Sequence, residues 1–411
     1  MRLQLGINLF GKVLLAALVA APVANVAFAQ AAPAVEPQAG STAGTQEKPY
    51  EANWRLFGVF LPQFVYADDA AVSFGSRNIG APSDAAHNTP DNDRARMQFQ
   101  AHQSRLGAEY KPAANVRGKF LVDWYRPDLA QPAVQSYPRL KVAKVEYDGP
   151  GDITWFMGQD YEAFAPLQPF SYSPVGGHYR TGNVGWTRTG FGGTYKGVPG
   201  WEFLASVGNV SPDANAVDSA VEWDPSMSGT LLVQKVGPGF RAGLAGFYAN
   251  RAYDLPFVAN RYVFALDAQS YGAAAHLESL GEVWEIKSEL FWGNNLGNAN
   301  MLTIGIGRGS TPTSPQNIRE YGGWLSARYK MDGMSVFGGY GLDQVINASD
   351  ITAASHGSAG IRKNQQFRVG VDKNLAEKTR AFFELAKIET SYWDDGVDDV
   401  NFLMTGMMIQ F

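Results

Sequence analysis

The stretch VRGKFLVDWY, residues 116–125, repeats with a period of two. Val116, Phe120, Val122 and Trp124 share one parity, and Arg117, Lys119, Asp123 and Tyr125 share the other. That period belongs to a β-strand, whose successive side chains point to opposite faces. One strand with an apolar face and a charged face lies between two different surroundings. The same split recurs far along the chain. VWEIKSELFW (283–292) sets Trp284, Ile286, Leu290 and Trp292 against Glu285, Lys287 and Glu289. NQQFRVGVDK (364–373) sets Phe367, Val369 and Val371 against Arg368 and Asp372, and TRAFFELAKIETSY (379–392) sets Ala381, Phe383 and Leu385 against Arg380 and Glu384.

Between Trp54 and Phe411 we mark sixteen stretches of this kind, divided by turn residues. Their connections alternate in length. KPAAN, DGPGD, GVPG, GPG, SLGE, MDG and NLAEK are short, and most of those between them are long. Antiparallel neighbours with tight turns at one end and long loops at the other form an up-and-down barrel. The expected fold is therefore all-β, a 16-stranded antiparallel up-and-down transmembrane β-barrel over residues 54–411. An even strand count puts both chain ends on the side of the short turns, which makes that side the periplasm. A charge facing mid-bilayer lipid costs about 2–4 kcal/mol for Arg or Lys. The apolar parity therefore faces lipid and the charged parity faces a wet interior. RMQFQAHQSRLGAEY (96–110) breaks parity partway, which a bulge would reconcile, as would an upper half rising above the membrane. RLKVAKVEY (139–147) is ambiguous, and Pro62 marks a rim or a bulge in the first strand.

The N-terminus agrees with export. Arg2 and Lys12 precede a short apolar run, Val13 to Ala24, and Ala27-Phe28-Ala29 fits a cleavage site. Residues 1–29 read as a signal peptide. Residues 30–53 are rich in Ala, Pro, Gln and Gly and read as a flexible periplasmic lead-in. The chain has no cysteine, which excludes disulfides, thiol catalysis and thiolate metal sites. The formal charge of −5 becomes −7 without Arg2 and Lys12, which argues against nucleic-acid binding.

The last stretch, NFLMTGMMIQF (401–411), must pair with the first, because an open sheet edge cannot sit in lipid. Phe411 then falls outward in an interfacial aromatic girdle.

Gln103-Ser104-Arg105-Leu106-Gly107, then Gly118-Lys119-Phe120-Leu121-Val122-Asp123-Trp124-Tyr125, then Gly158-Gln159-Asp160-Tyr161, follow one another over strands two to five. This order resembles the DcaP-like trimeric porins, within a wider resemblance to sixteen-stranded Gram-negative porins that covers the mature chain. The resemblance implies a homotrimer, a channel for small organic anions such as dicarboxylates, and a terminal aromatic, here Phe411, read by the barrel-assembly machinery. It also implies that the third long loop, here residues 160–183, folds into the lumen, so that Asp160, Glu162 and Arg180 become constriction candidates.

Inward cations Arg105, Arg117, Lys119, Arg241, Lys287, Arg328, Arg368 and Arg380, with inward acids Asp123, Glu285, Glu289, Asp372 and Glu384, are the pore-lining candidates. The acidic run DDGVDD (394–399) offers oxygens for Ca²⁺ but lacks an EF-hand pattern, so a solvated loop is the favoured reading. The five histidines show no metal-binding spacing. Ser104 lies near His102 without an orienting third group. No catalytic residue, metal or cofactor is therefore expected. The competing reading is a barrel enzyme, a lipase or protease, or an adhesin working through its long loops. The expected partners are outer-membrane lipids, the assembly machinery, small solutes and two further copies of the chain.

Overall fold

The computed structural model describes residues 53–68, 95–101, 103–125, 137–173, 177–178, 181–183, 187–209, 227–254, 265–296, 307–308, 315–316, 318–347, 361–392 and 397–411. The expected signal peptide, the lead-in up to residue 52, Arg180 and residues 394–396 lie outside these.

Among the described residues sixteen strands form one closed antiparallel sheet. Two of them are interrupted: β1 runs as Asn53–Phe60 and Gln63–Ala67, and β2 as Arg96–Gln100 and Arg105–Ala113. Then come β3 (Val116–Tyr125), β4 (Tyr137–Asp148), β5 (Ile153–Tyr161), β6 (Thr187–Tyr195) and β7 (Trp201–Asn209). β8 (Met227–Gly237), β9 (Phe240–Asp254), β10 (Ala265–Leu280) and β11 (Trp284–Asn294) follow. β12 (Arg319–Met331), β13 (Met334–Val345), β14 (Ile361–Ala376), β15 (Thr379–Tyr392) and β16 (Val397–Gln410) complete the sheet. A separate ribbon pairs Gly307–Arg308 with Pro315–Gln316.

The barrel closes between its first and last strands. Val59 pairs with Gln410, and Ala67 pairs with Phe402. Phe411 and Gly58 exchange backbone hydrogen bonds of 3.1 and 3.2 Å, and the Phe411 ring lies over Gly58, where a side chain would collide with it. The strand begins at Val397, earlier than the sequence suggests, so the end of the acidic run is strand, with Asp399 paired to Lys387 at 2.7 Å.

Both irregularities in the sequence have a physical cause. Val59 pairs with Arg105 and Gln63 with Gln100, so β2 carries one residue more than β1 over the same span. That bulge lets Met97 and Phe99 face outward together with Leu106, although their parities differ. The gap is stitched by the Leu61 amide, which donates to Ser104 Oγ at 3.0 Å. In β4 the register jumps from Leu121↔Val142 to Val122↔Leu140, leaving Lys141 as an extra residue. This second bulge explains why the parity of RLKVAKVEY is ambiguous.

The outer face is apolar and bare. Phe99 is 82% exposed, Leu244 67% and Leu231 65%. Water would penalise each such side chain by about 1.5–3 kcal/mol relative to burial, whereas lipid does not. Aromatic pairs gather near the short-turn end of the outer face: Trp54 with Tyr110, Trp284 with Tyr329, and Tyr195 and Trp201 with Phe203. The interior is not uniformly wet. Leu61, Val65, Phe337, Phe382, Ile388, Phe402 and Met404 form a buried apolar cluster on the inner face. A second cluster joins Leu232, Ala245, Phe247, Ala274 and Phe291.

Candidate functional site

Both clusters are completed by one loop. The chain leaves β5 at Tyr161, crosses the interior and re-enters the sheet at β6. Phe164 and Ala165 fill the second cluster, with the Phe164 and Phe247 rings 5.8 Å apart. Phe170 and Tyr172 fill the first, and Tyr172 stacks on Phe382 with centroids 4.1 Å apart. The inward apolar residues of β15 and β16 therefore exist to seat this loop. A signal for them is present in the sequence, because NFLMTGMMIQF is apolar on both parities. A strand facing lipid on one side and water on the other alternates; one that is greasy on both faces has a dry neighbour inside.

A packed loop leaves backbone amides that need acceptors. Wall carboxylates supply them. Glu289 on β11 accepts the Leu167 amide at 2.6 Å and Trp324 Nε1 at 3.0 Å. Glu384 on β15 accepts the Tyr172 amide at 2.7 Å and the Ser171 hydroxyl at 2.9 Å, and pairs with Arg368 at 2.6 Å. Arg368 also donates to Ser171 Oγ and, at 2.6 Å, to Gln366. The Phe170 amide donates to Ser326 Oγ at 3.2 Å. At the loop's start, Glu162 pairs with Arg188 on β6 and accepts Thr230 Oγ1 at 2.7 Å. The sequence places Glu289, Arg368 and Glu384 on a hydrated wall. In the structure they face inward, but the loop covers them and they are buried. Glu162, expected at a constriction, is likewise buried as an anchor.

The other candidates form two charged shelves. The first lies on β9–β15 near the short-turn end. Arg241 and Lys287 bind Glu278 at 2.9 and 3.1 Å. Glu285 binds Lys330 at 3.1 Å and Arg328 at 3.5 Å, and Asp372 lies 3.7 Å from Arg380 and 3.9 Å from Arg328. Arg328 and Lys287 sit over the Phe170 ring at 4.2 and 4.9 Å, tying this shelf to the loop. The second lies on β2–β5, the wall the loop leaves. Asp123 holds Arg139 at 2.7 Å and Lys141 at 3.6 Å, and Arg105 pairs with Asp123 in register while donating to Gln103 at 2.9 Å. Arg117 joins Glu146 and Asp148 at 3.1 and 2.8 Å, Lys144 joins Glu146 and Asp160, and Lys119 lies 3.9 Å from Glu109. Sequence reasoning missed Arg139, Lys141 and Lys144, because the bulge at Lys141 hides their parity.

Burial within these pairs is uneven. Arg139 is 28% exposed and Asp123 2%; Arg380 is 36% and Asp372 3%. Arg241 and Lys330 are likewise more open than Glu278 and Glu285. On the β2–β5 shelf Lys144 is instead the more buried partner of Glu146 and Asp160. The two shelves together hold eleven cations and eight acids, so their described side chains carry a net positive charge. Among the described residues, no group of three or more acidic or histidine side chains could hold a metal ion.

A closed sixteen-strand antiparallel barrel with an apolar exterior, a charged interior and a third long connection whose described residues pack inward is the architecture of outer-membrane β-barrels. No family model matches the chain, and no curated protein does. Solved structures do. The outer membrane channel DcaP of Acinetobacter baumannii superposes with a TM-score of 0.67 at 15% identity, over 88% of this chain and 97% of that one. Salmonella typhi OmpF, in complex with daunomycin, gives 0.56 at 12% over 87% and 97% of the two chains. Pseudomonas putida OprB gives 0.53 at 11% over 87% and 94%. The likeness to porins, DcaP among them, is a likeness of fold.

Proposed function

We propose that this chain is a passive diffusion porin of the outer membrane, for small hydrophilic solutes and with a preference for small organic anions such as dicarboxylates. The observation that carries the reading is the excess of cations over acids among the described side chains of the two interior shelves. A lining with more guanidinium and ammonium groups than carboxylates favours anions without any energy input. The described residues of the 160–183 loop pack on the β8–β15 side and narrow the passage there, so the β2–β5 wall with Arg105, Arg117, Lys119, Arg139, Lys141 and Lys144 lines what remains. No cofactor is needed. The resemblance to a channel barrel, and to OmpT of Vibrio cholerae in its trimer form (TM-score 0.54, 11% identity), supports a homotrimer. The N-terminal signal pattern and the terminal Phe411 suit export and barrel assembly.

A reversal potential across a planar bilayer under a salt gradient tests the ion preference, and current noise with added dicarboxylates or neutral sugars tests the solute class. The reading expects an anion-side reversal potential and dicarboxylate-induced noise. A cation-side potential, with block by sugars alone, would overturn the anion assignment.

A further inference from the structure

We infer that the bulge at Lys141 builds a binding subsite for solutes with two separated negative charges, Arg105 taking one charge and Lys141 the other. The inference rests on the channel reading above and deepens it, by assigning the place where such a solute dwells.

Three cations surround Asp123 on β3, whose side chain is almost fully buried. Arg139 on β4 holds both of its oxygens, through Nε at 3.0 Å and Nη2 at 2.7 Å, and Lys141 lies 3.6 Å away. Asp123 is thus engaged from the β4 side. Arg105 faces it from β2, directly across the ladder. Among the described residues Arg105 belongs to no ion pair. Its Nη2 donates to the neutral amide oxygen of Gln103 at 2.9 Å, and its Nε is buried without an acceptor. A guanidinium that ends on a neutral acceptor keeps its charge for a solute, and a carboxylate arriving there gains charge-assisted hydrogen bonds from a planar fork.

The bulge places the second cation. Val142 faces inward opposite Leu121, and both are buried. The extra residue lets Arg139 and Lys141 reach Asp123 on that same inner face, while Leu140 turns outward. The β4–β5 ladder begins only at Ala143, so the carbonyls of Leu140 and Lys141 lie beyond it. Gln159 Nε2 donates to both, at 2.7 and 3.2 Å, and fixes the bulge. Lys141 Nζ also lies 5.7 Å from the centre of the Tyr161 ring, a contact that steadies an ammonium without neutralising it.

Arg105 and Lys141 stand on the strands that flank β3, so strand spacing sets their backbones roughly 9–10 Å apart, with Asp123 between them. Three cations and one acid leave a net charge of two among these described side chains. A solute with two negative groups several bonds apart matches both the charge and its spread. A compact dianion engages one centre and leaves the other. The rest of the shelf tips the opposite way, with Arg117, Lys119 and Lys144 set against Glu109, Glu146, Asp148 and Asp160. On this wall the bulge is therefore where an anion gains most.

The test records current interruptions by succinate in neutral buffer, beside sulfate as a compact dianion and acetate as a single charge. Succinate should act at the lowest concentration. Arg105→Gln and Lys141→Gln should each weaken its block about tenfold or more. Arg117→Gln removes the same unit of charge lower on the shelf, where salt screens it from the bulge, and should change the block less than about threefold. Arg105→Lys keeps the charge without the fork and should fall between wild type and Arg105→Gln. Lys141→Gln carries the test if Arg105→Gln does not fold. Equal losses in Arg105→Gln and Arg117→Gln would mean that anions feel only the summed charge of the wall, and sulfate outdoing succinate would mean a single charge centre; either overturns the subsite. Calorimetric titration of the detergent-solubilised protein with succinate reads the site without current. A silent bilayer with Arg105-dependent binding would count against the channel reading alone, whereas a conducting protein without Arg105-dependent binding would overturn the subsite and leave the channel standing.

Discussion

Replacing Glu384 by alanine strikes the strongest joint between loop and wall. The carboxylate accepts the Tyr172 amide and the Ser171 hydroxyl and neutralises Arg368, and both partners of the ion pair are fully buried. Removing one member of a buried pair costs about 3–5 kcal/mol, because the remaining charge stays in a dry site. The orphaned Tyr172 amide adds about 1–3 kcal/mol. The whole penalty falls on the state with the loop seated, since a lifted loop lets water reach Arg368. Even the ion-pair part multiplies the open population by roughly 10² to 10⁴. Single-channel recording should show frequent conductance transitions, and hydrogen exchange should lose protection across residues 164–173. The double variant Arg368→Met with Glu384→Met removes both charges and leaves only the amide unmet, so it should sit between wild type and Glu384→Ala. If Glu384→Ala behaves like the wild type, or is no worse than the double variant, the buried pair does not hold the loop.

Other expectations follow from the same structure. Leu231→Arg places a cation on the bare lipid face and should destabilise the folded barrel by about 2–4 kcal/mol in bilayer unfolding, while Ser206→Arg, whose parity faces inward, should cost less. Lys141→Gln, at the bulge beside Arg139, should move the reversal potential toward the cation side without changing heat stability much; an unmoved potential would remove Lys141 from the solute path. Deleting the ring with Phe411→Ala should lower the yield of barrel assembled in cells yet leave detergent refolding nearly intact, because the backbone bonds to Gly58 remain. Equal yield in cells would exclude Phe411 as an assembly signal.

The strand count, the lipid-facing parity and the long-short rhythm of connections were all legible from stretches such as VRGKFLVDWY and VWEIKSELFW, because lipid on one side and water on the other forces alternation. The parity conflict in β2 was legible, and the structure decides for a bulge over a strand that rises above the membrane. The bulge at Lys141 was not, since RLKVAKVEY carries cations on both parities and offers no conflict to resolve. The fate of Glu289, Arg368 and Glu384 was hidden for another reason. A period-two pattern tells which face a residue takes, but not whether a loop from 122 or more residues earlier will cover it, as Leu167 covers Glu289. Gly339 and Gly341, whose missing side chains make room for the His178 ring, were hidden too, because a missing side chain in a strand gives no sign of what occupies the space.

The most direct test of the channel itself is a planar-bilayer recording of the purified, refolded protein. A water-filled barrel narrowed by a wall-bound loop predicts abrupt, ohmic openings that arrive in threes for a trimer and carry more anion than cation. A protein that inserts and folds but leaves the bilayer electrically silent would contradict the hydrated passage on which the account depends.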